Sequence, residues 1–361
     1  MARNWERYAG ALMTRTQWLD AGAHSRDLAG PDFTKVFPGF HMLSDHPASL
    51  EAMAWVLQNK VLPGSVISHT TAALLWDIPL PLKLENKVAL RRVDESGGRR
   101  HSPLPPVSAG TSLRTGAELP VIHARVAQGE GSSSVRGATI HRWEPGPSME
   151  RDKLVVSSPA EVLRELATLL PPWDLVAAAD AVVAGKTECP PTTAADLAVH
   201  VSRMRGRRGN ARLAAVLPDV RGRSWSPGES LTRLLLLGAG FPEPELNLPV
   251  QERRSDRTRY LDLAWPDAMC VLEYDGDDHR RAKKQWREDE QRRDAIAALG
   301  WTIIRANGED LWHPRRILLR LADELGGRGL VVPDESRIRR FIDELARKRP
   351  SGRIAAQQPT S

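Results

Sequence analysis

The amino-acid sequence predicts an α/β protein with more than one domain, and three observations support this fold class. The chain has 361 residues, which exceeds the roughly 100–200 residues of one average domain. Residues 261–275 contain two short apolar runs on either side of the turn residues Pro266 and Asp267, a pattern that predicts a β-hairpin. Segments with apolar residues at helical spacing, such as residues 158–170, alternate with short strand-like runs along the chain.

The composition is typical of a cytoplasmic protein with a basic surface. The 51 Lys and Arg residues outnumber the 45 Asp and Glu residues, and the isoelectric point is near 9.6. A basic balance is compatible with nucleic-acid binding, although many proteins without this function share it. The two cysteines, Cys189 and Cys270, have no partner at metal-ligand spacing and predict neither a zinc site nor a disulfide framework. No apolar run approaches the ~18 residues of a membrane span, and the chain start lacks a signal-peptide core, so we expect no membrane contact.

The predicted hairpin would gather three carboxylates. Side chains alternate between the two faces of a strand, so Glu273 and Asp275 share one face. A turn centred between residues 267 and 268 places Asp262 directly opposite Glu273, with Cβ atoms about 4.5–5.5 Å apart. Like charges in such a pair are destabilising, and Mg²⁺, which prefers oxygen ligands, would neutralise them and could activate water for phosphodiester hydrolysis. The alternative is a solvated polar face of an edge hairpin.

The residues around this hairpin resemble a known nuclease fold. The order is a helix that carries Glu229, then Asp262, the letters EYDG at residues 273–276, His279 and a strand near residues 300–305. This order and spacing resemble the PD-(D/E)XK nuclease superfamily, in the branch similar to very-short-patch repair (Vsr) endonucleases, and the bacterial domain of unknown function numbered 559. The resemblance implies a restriction-endonuclease-like domain over residues 224–326, with a mixed sheet flanked by helices.

The resemblance also implies roles for individual residues in a metal-dependent DNA endonuclease. Asp262 and Glu273 would hold Mg²⁺ or Mn²⁺ with the assistance of Asp275, and Glu229 would act from the outer shell. His279 would be a general acid–base or a phosphate contact, because the ordinary pKa of an imidazole, near 6.5, suits either role. The superfamily has a lysine where this chain has Asp275, so the role of that lysine is not filled at this position.

Glu229 has a structural explanation as well. Ser226 suits the N-cap of a helix, Pro227 suits its first position, and Glu229 would complete a capping box with Ser226. Both roles of the glutamate remain open at this point.

Two basic segments are candidate DNA contacts. Arg205, Arg207 and Arg208 lie in a linker region, residues 187–223, and arginine binds phosphates bidentately. Lys283 and Lys284 lie on a charged helix predicted over residues 281–299 that also contains Arg292, and these side chains could follow a DNA backbone. A solvated inter-domain turn and a solvated amphipathic helix explain the same charges.

Residues 1–47 predict a winged-helix region. Two short helices would begin near residues 14–16 and at Ser25, which is a helix-turn-helix arrangement. Residues 33–37 and 40–43 alternate around a Pro-Gly turn and predict the hairpin wing. In such a domain the second helix enters the DNA major groove. The alternative is a small helical cap on the next domain.

The N-terminal part resembles AbiEi-type antitoxin domains. The resemblance is carried by the letters FTKVFPGFHM at residues 33–42 and VISHTTAALLWDIP at residues 66–79. It implies DNA binding and a toxin partner, with residues 48–186 as an α+β middle region that acts as a scaffold or partner surface. His69 in this region is interpreted as a cap or packing residue. Residues 327–361 are expected to form a partly disordered tail.

Two further hypotheses stand beside the endonuclease. In the first, the chain is a non-catalytic DNA-binding antitoxin or transcriptional regulator on a degenerate nuclease fold. In the second, it is a protein-interaction module with surface carboxylates. The nuclease hypothesis requires that the carboxylates share one side of the sheet and are not held by arginines of the same chain. The sequence leaves the substrate and the oligomeric state open.

Overall fold

The chain combines helices with mixed sheets, which confirms the predicted α/β class. It divides into two units, Met1–Gly222 and Arg223–Ser361. No helix in the described part of the chain is both long and apolar enough to cross a membrane. A computed structural model describes residues 5–81, 91–93, 99–100, 118–119, 121–127, 135–142, 146–252, 257–275 and 283–348.

The N-terminal hairpin forms at the residues that the sequence predicts. β2 (Phe33–Phe37) and β3 (Phe40–Leu43) flank Gly39, whose φ of 80° is readily adopted by glycine in a tight turn. β1 (Met13–Thr14) pairs with β3, so the sheet has the order β1-β3-β2.

The helical part of this region differs from the prediction. α1 (Arg15–Asp20) begins as expected, because the side chain of Thr14 accepts a hydrogen bond from the backbone N–H of Gln17. The predicted second helix is instead a single 3₁₀ turn, Asp27–Ala29. Pro31 follows closely and disfavours helical backbone before it, so a longer helix has no room to form.

A five-stranded mixed sheet is the centre of the first unit. Its order is β10-β11-β4-β8-β9, and β8 pairs with β9 in parallel. A separate antiparallel sheet has the order β6-β5-β7. These strands are β4 (Val66–Ile67), β5 (Arg91–Val93), β6 (Arg99–Arg100), β7 (Glu118–Leu119), β8 (Ile122–Val126), β9 (Ala138–Arg142), β10 (Ser148–Arg151) and β11 (Leu154–Ser157).

Helices cover this sheet, and one of them carries charges into the interior. α4 starts with Pro159 at its first position, as the sequence predicts, and buries Glu161, Arg164 and Glu165 together with its apolar residues. The other described helices after α1 in this unit are α2 (Leu50–Val56) and α3 (His69–Leu75) before α4 (Pro159–Leu166), then α5 (Pro172–Val183), α6 (Ala194–Arg203) and α7 (Asn210–Val216).

The second unit is built on a four-stranded mixed sheet with the order β12-β13-β14-β15. The first two pairings are antiparallel and the last is parallel. The strands are β12 (Glu245–Gln251), β13 (Thr258–Trp265), β14 (Cys270–Asp275) and β15 (Thr302–Asn307). The helices are α8 (Pro227–Ala239), α9 (Lys283–Ala298), α10 (Gly308–Trp312), α11 (Arg315–Gly327) and α12 (Glu335–Lys348).

The hairpin of β13 and β14 has the predicted register. Leu263 pairs with Leu272, and Trp265 pairs with Cys270. Extended by one residue, this register makes Asp262 and Glu273 opposite residues. The connection is one 3₁₀ turn followed by a residue with positive φ, which accommodates the tight reversal. The apolar residues of this hairpin pack under α9 in a core of Leu261, Ala264, Val271, Ile296 and Trp301.

The first turn of α8 lies directly on β14. Gly228 allows this approach, because a Cβ atom at this position would lie 2.0 Å from a ring carbon of Tyr274. Ser226 caps the helix by accepting a hydrogen bond from the backbone N–H of Glu229 at 3.2 Å. The close contact fixes the position of Glu229 relative to the central strands.

Candidate functional site

Two carboxylates from neighbouring strands form the centre of the site. Asp262 lies on β13 and Glu273 lies on β14. They are one residue beyond the ladder pair Leu263–Leu272, so the register makes them opposite residues. Asp262 Oδ2 accepts a hydrogen bond from the backbone N–H of Tyr274 at 3.0 Å. Glu273 is 7% exposed, so its charge depends on the groups around it. The two acids lie on one side of the sheet, as the sequence predicts.

An arginine of the same chain bridges these carboxylates. Nη2 of Arg292, on α9, lies 2.9 Å from Glu273 Oε1 and 3.5 Å from Asp262 Oδ1. It also donates a hydrogen bond to the backbone carbonyl of Tyr260 at 2.8 Å. Asp275 forms an ion pair with Arg305. Pairing of the acids with arginines of the same chain is the arrangement that counts against the metal hypothesis, and the structure contains it.

Glu229 contributes a third carboxylate close to Asp262. Its Oε2 accepts hydrogen bonds from the backbone N–H of Trp225 at 2.9 Å and from Nδ2 of Asn247 at 2.6 Å. The predicted capping box is therefore only half right: Ser226 caps the helix, while the glutamate carboxylate accepts from the backbone N–H of Trp225, and its contact with Ser226 is to the side chain. The negative charge of Asp262 is close enough to contribute to the raised pKa of Glu229.

A cavity of about 300 Å³ adjoins the carboxylates. The aromatic rings of Trp225 and Tyr260 meet edge to face at its wall, with centroids 4.8 Å apart. Tyr260 is 41% exposed, and an exposed ring of this kind can stack on a nucleobase. The cavity is lined by Trp225, Glu229, Asn247, Thr258, Arg259, Tyr260, Asp262 and Arg292.

Burial changes the acidity of all three groups. It raises the pKa of Glu273 to about 7, an effect that Arg292 opposes and the neighbouring acids Asp262 and Asp275 reinforce. Burial likewise raises the pKa of Asp262 and the pKa of Glu229. Acids with raised pKa values beside a cation in a cleft are typical of functional sites, although structural ion pairs also produce them. Because these groups interact, they titrate as a set.

Oxygen donors of this kind fit a hard divalent cation. Mg²⁺ is usually bound by one or two carboxylates together with water and phosphate oxygens, and Asp262 and Glu273 supply such a pair. Arg292 contacts the same oxygen atoms, so a bound ion and the guanidinium would exclude each other. The donor set fits the ion, on the condition that Arg292 leaves.

The other predicted site residues belong to the first unit or have side chains outside the described part of the chain. His279 lies outside the described residues. Lys283 and Lys284 fall in the first turn of α9, and their side chains lie outside the described part. Arg205, Arg207 and Arg208 belong to the first unit, between α6 and α7.

The structure also identifies groups that the sequence reasoning did not single out. Asn247 orients Glu229 from β12, in a left-handed backbone conformation with φ of 44° that asparagine tolerates. Arg305 pairs in the ladder with Glu273, and its side chain reaches Asp275. Arg292 entered the sequence analysis only as one of several basic helix residues. No short motif marks any of the three, because their roles depend on strand pairing and helix docking.

Comparison with known proteins gives no functional identification. No family model matches the chain, and no solved structure matches it significantly. Two uncharacterized proteins of Mycobacterium tuberculosis are similar to it: MT2308 of strain CDC 1551 and Rv2248 of strain H37Rv. Each is 33% identical over 126 residues, which is 35% of this chain and 46% of the relative. The match thus spans about half the length of these relatives.

Proposed function

We propose that the second unit is a metal-dependent nuclease of the PD-(D/E)XK type that hydrolyses phosphodiester bonds in DNA. Because Arg292 pairs with Asp262 and Glu273, the requirement that no arginine of the chain holds these acids is not met as the structure stands, and the proposal depends on the divalent ion displacing Arg292 from them. The observation that supports this proposal most is that Asp262 and Glu273, one residue beyond the ladder pair Leu263–Leu272, both contact Arg292, beside a cavity that Asp262 and Glu229 line. Asp262 and Glu273 would hold Mg²⁺ or Mn²⁺, with Asp275 nearby and Glu229 orienting the shell. The ion would polarise the phosphodiester and lower the pKa of bound water.

Arg292 would take the role of the superfamily lysine, for which this chain has no residue at the corresponding position. The superfamily lysine is replaced by Asp275, and the guanidinium of Arg292 is the cation found beside Asp262 and Glu273. We assign it to the substrate phosphate, since arginine pairs with phosphate through two parallel hydrogen bonds. Tyr260 and Trp225 would contact nucleobases at the cavity wall.

A second function is favoured by the same arginines. Arg292 and Arg305 neutralise the carboxylates without any metal, as expected of a nuclease fold that has become a binding platform. On this proposal the chain is a DNA-binding regulator of antitoxin type, and the hairpin of β2 and β3 contacts the DNA backbone as a wing, although the recognition helix is reduced to the 3₁₀ turn Asp27–Ala29. A toxin partner belongs to this alternative.

Plasmid nicking separates the two functions. Full-length protein is incubated with supercoiled plasmid in Mg²⁺, in Mn²⁺ and in chelator, and Asp262→Asn and Glu273→Gln are compared with wild type. We expect metal-dependent nicking that falls at least a hundredfold in both variants. Asp267→Asn is the matched control, because Asp267 is an exposed carboxylate in the turn of the same hairpin.

Each alternative result has a defined meaning. Nicking that persists in Asp262→Asn contradicts the assigned site and indicates a contaminating nuclease. DNA binding at low salt without cleavage in either metal contradicts the nuclease and supports the regulator. Absence of DNA binding at low salt contradicts both proposals and leaves a protein-interaction module.

A further inference from the structure

A group of three histidines lies in the first unit, in the part that the sequence analysis treats as a scaffold. His69 is the first residue of α3, His123 lies on β8 and His141 lies on β9. One ring nitrogen from each lies within 4.8 Å of the other two. The parallel register places Thr139 beside His123, so His141, two residues further on, is on the same side of the sheet.

The spacing of the ring nitrogens suits a metal ion. Nδ1 of His123 and Nε2 of His141 are 2.9 Å apart, a distance at which the two rings share one proton. A Zn–N bond is ~2.0–2.1 Å, so the same spacing corresponds to an N–metal–N angle of about 90°. The ring of His69 stacks on that of His141 with centroids 3.5 Å apart and planes 14° apart, so the third imidazole is adjacent and one of these two rings would have to turn for both to direct a nitrogen at the same ion.

Neighbouring groups orient His69 in the way that metal-binding histidines are usually oriented. Its Nδ1 lies 3.0 Å from Ser68 Oγ and 3.8 Å from Glu165 Oε2, so Nε2 would be the ligating atom. The same carboxylate oxygen accepts the backbone N–H of His69 at 2.7 Å. A ligating imidazole commonly has a hydroxyl or carboxylate at its other nitrogen, which fixes its tautomer and direction. His69 also has a left-handed φ of 51°, a conformation that costs energy for a residue other than glycine.

Acids and arginines both surround the cluster, and Arg208 adds a further positive charge near His141. The buried acids Glu161 and Glu165 face the buried arginines Arg125 and Arg164, with ion-pair distances of 2.6 Å for Arg164–Glu161 and 3.6 Å for Arg125–Glu165. Burial, aided by Arg208, lowers the pKa of His141 to about 4, and burial together with the other two histidines lowers the pKa of His69. Neutral imidazole is the form that binds metals.

We propose that His69, His123 and His141 bind one divalent transition-metal ion of the Zn²⁺ class, at a site separate from the carboxylates of the second unit. Imidazole ligands select Zn²⁺, Cu²⁺ and Ni²⁺, whereas carboxylates suit Mg²⁺ and Mn²⁺. The ion takes the position of the proton shared by His123 and His141, and Glu165 orients His69. It connects α3 to β8 and β9. This inference does not rest on the proposed nuclease activity.

Titration with Co²⁺ and Zn²⁺ tests the site. Full-length protein is freed of metal by a chelator and titrated with Co²⁺, whose visible absorption reports nitrogen coordination, and Zn²⁺ is then added in competition. We expect one equivalent to bind, with at least tenfold weaker binding in His141→Gln. His200→Gln is the matched control, since His200 is a buried histidine of the same unit that lies 3.2 Å from Glu161. Asp262→Asn should leave this binding unchanged.

Two results would overturn the proposal. One is the absence of Co²⁺ or Zn²⁺ binding to the wild-type chain, and the other is wild-type affinity in His141→Gln. If the variants fail to fold by circular dichroism, X-ray absorption at the zinc edge of the wild-type complex decides the question. Three imidazole ligands support the site, and fewer than three contradict it.

Discussion

Nη2 of Arg292 lies 2.9 Å from Glu273 Oε1, and the same nitrogen lies 3.5 Å from Asp262 Oδ1. One guanidinium from α9 thus compensates two acids that face each other across β13 and β14. The contact explains how two carboxylates can be adjacent and largely buried, because each would otherwise be left uncompensated. It also makes Arg292 the residue that most directly separates the two proposed functions.

Replacement of Arg292 by alanine should make metal binding tighter and the metal-free protein less stable. We expect about tenfold higher Mn²⁺ affinity by isothermal titration, because the cation that competes for the carboxylates is gone. The stability loss should be about 1–2 kcal/mol, less than the ~3–5 kcal/mol of a fully buried pair, because the side chain is 34% exposed. Arg293→Ala, one residue along the same helix, is the control. Unchanged Mn²⁺ affinity in Arg292→Ala would show that the two carboxylates do not bind the ion.

Glu273 should make stability and metal affinity depend on pH in opposite directions. Its pKa is raised from 4.5 to about 7, so the folded state holds a proton between these values that the unfolded state has lost. Stability without metal therefore falls as pH rises from about 4.5 to about 7. Glu273→Gln removes this effect, and we expect it to gain up to about 3 kcal/mol over wild type at pH 8 and almost nothing at pH 4.5. Urea unfolding at both pH values measures the difference.

Metal binding provides the complementary measurement. A protonated carboxyl is a poor ligand, so the Mn²⁺ affinity of wild type should fall about tenfold per pH unit below about pH 7. An affinity that stays constant between pH 8 and pH 5.5 would show that Glu273 is not a ligand.

Glu161 should make the first unit sensitive to acid. Burial alone would raise its pKa, but hydrogen bonds from Arg164 and His200 and the charge of Arg125 lower it to about 2. A depressed pKa stabilises the folded state above pH 4.5, and this contribution is lost as pH falls towards 2. Glu161→Gln removes the carboxylate that pairs with both Arg164 and Arg125 in the interior and should cost about 3–5 kcal/mol at pH 7. Thermal unfolding at pH 7 and pH 3 checks this, since the difference between variant and wild type should shrink in acid.

Gly228 should resist substitution although it lies in a helix. Alanine is ordinarily favoured over glycine in a helix by about 1 kcal/mol, but a Cβ atom here would overlap the ring of Tyr274. We expect Gly228→Ala to be destabilising by about 1–3 kcal/mol and to weaken metal binding, because the first turn of α8 carries Glu229. Gly327→Ala is the control, since an added Cβ meets nothing within 4 Å there. Equal stability in the two variants would exclude the steric explanation.

The features that the sequence predicted well are those set by local pattern. The register of β13 and β14 follows from alternating apolar and charged residues around a turn with proline, and it places Asp262 opposite Glu273 as expected. The wing-like hairpin of β2 and β3 follows from the same kind of signal. Ser226 and Pro227 predict the start of α8, because a serine side chain suits the N-cap and proline suits the first helical position.

The features that escaped prediction depend on tertiary contacts. α9 has basic residues along much of its length, and nothing in their spacing distinguishes Arg292 as the one that reaches the sheet. The three histidines come from segments that are distant in sequence, so no metal-binding motif appears. The cap signal at Ser25 predicts a second N-terminal helix, but Pro31 disfavours helical backbone just before it and only a 3₁₀ turn forms.

The single guanidinium between Asp262 and Glu273 has a thermodynamic consequence. An anion that draws Arg292 away leaves both acids uncompensated and ready for a cation, and a cation that binds the acids releases the arginine for an anion. Each ligand therefore lowers the free energy of binding of the other, and this coupling is reciprocal. A divalent ion and a nucleic-acid phosphate would therefore bind to this unit cooperatively. Either one alone would bind more weakly, because it has to separate Arg292 from the two acids.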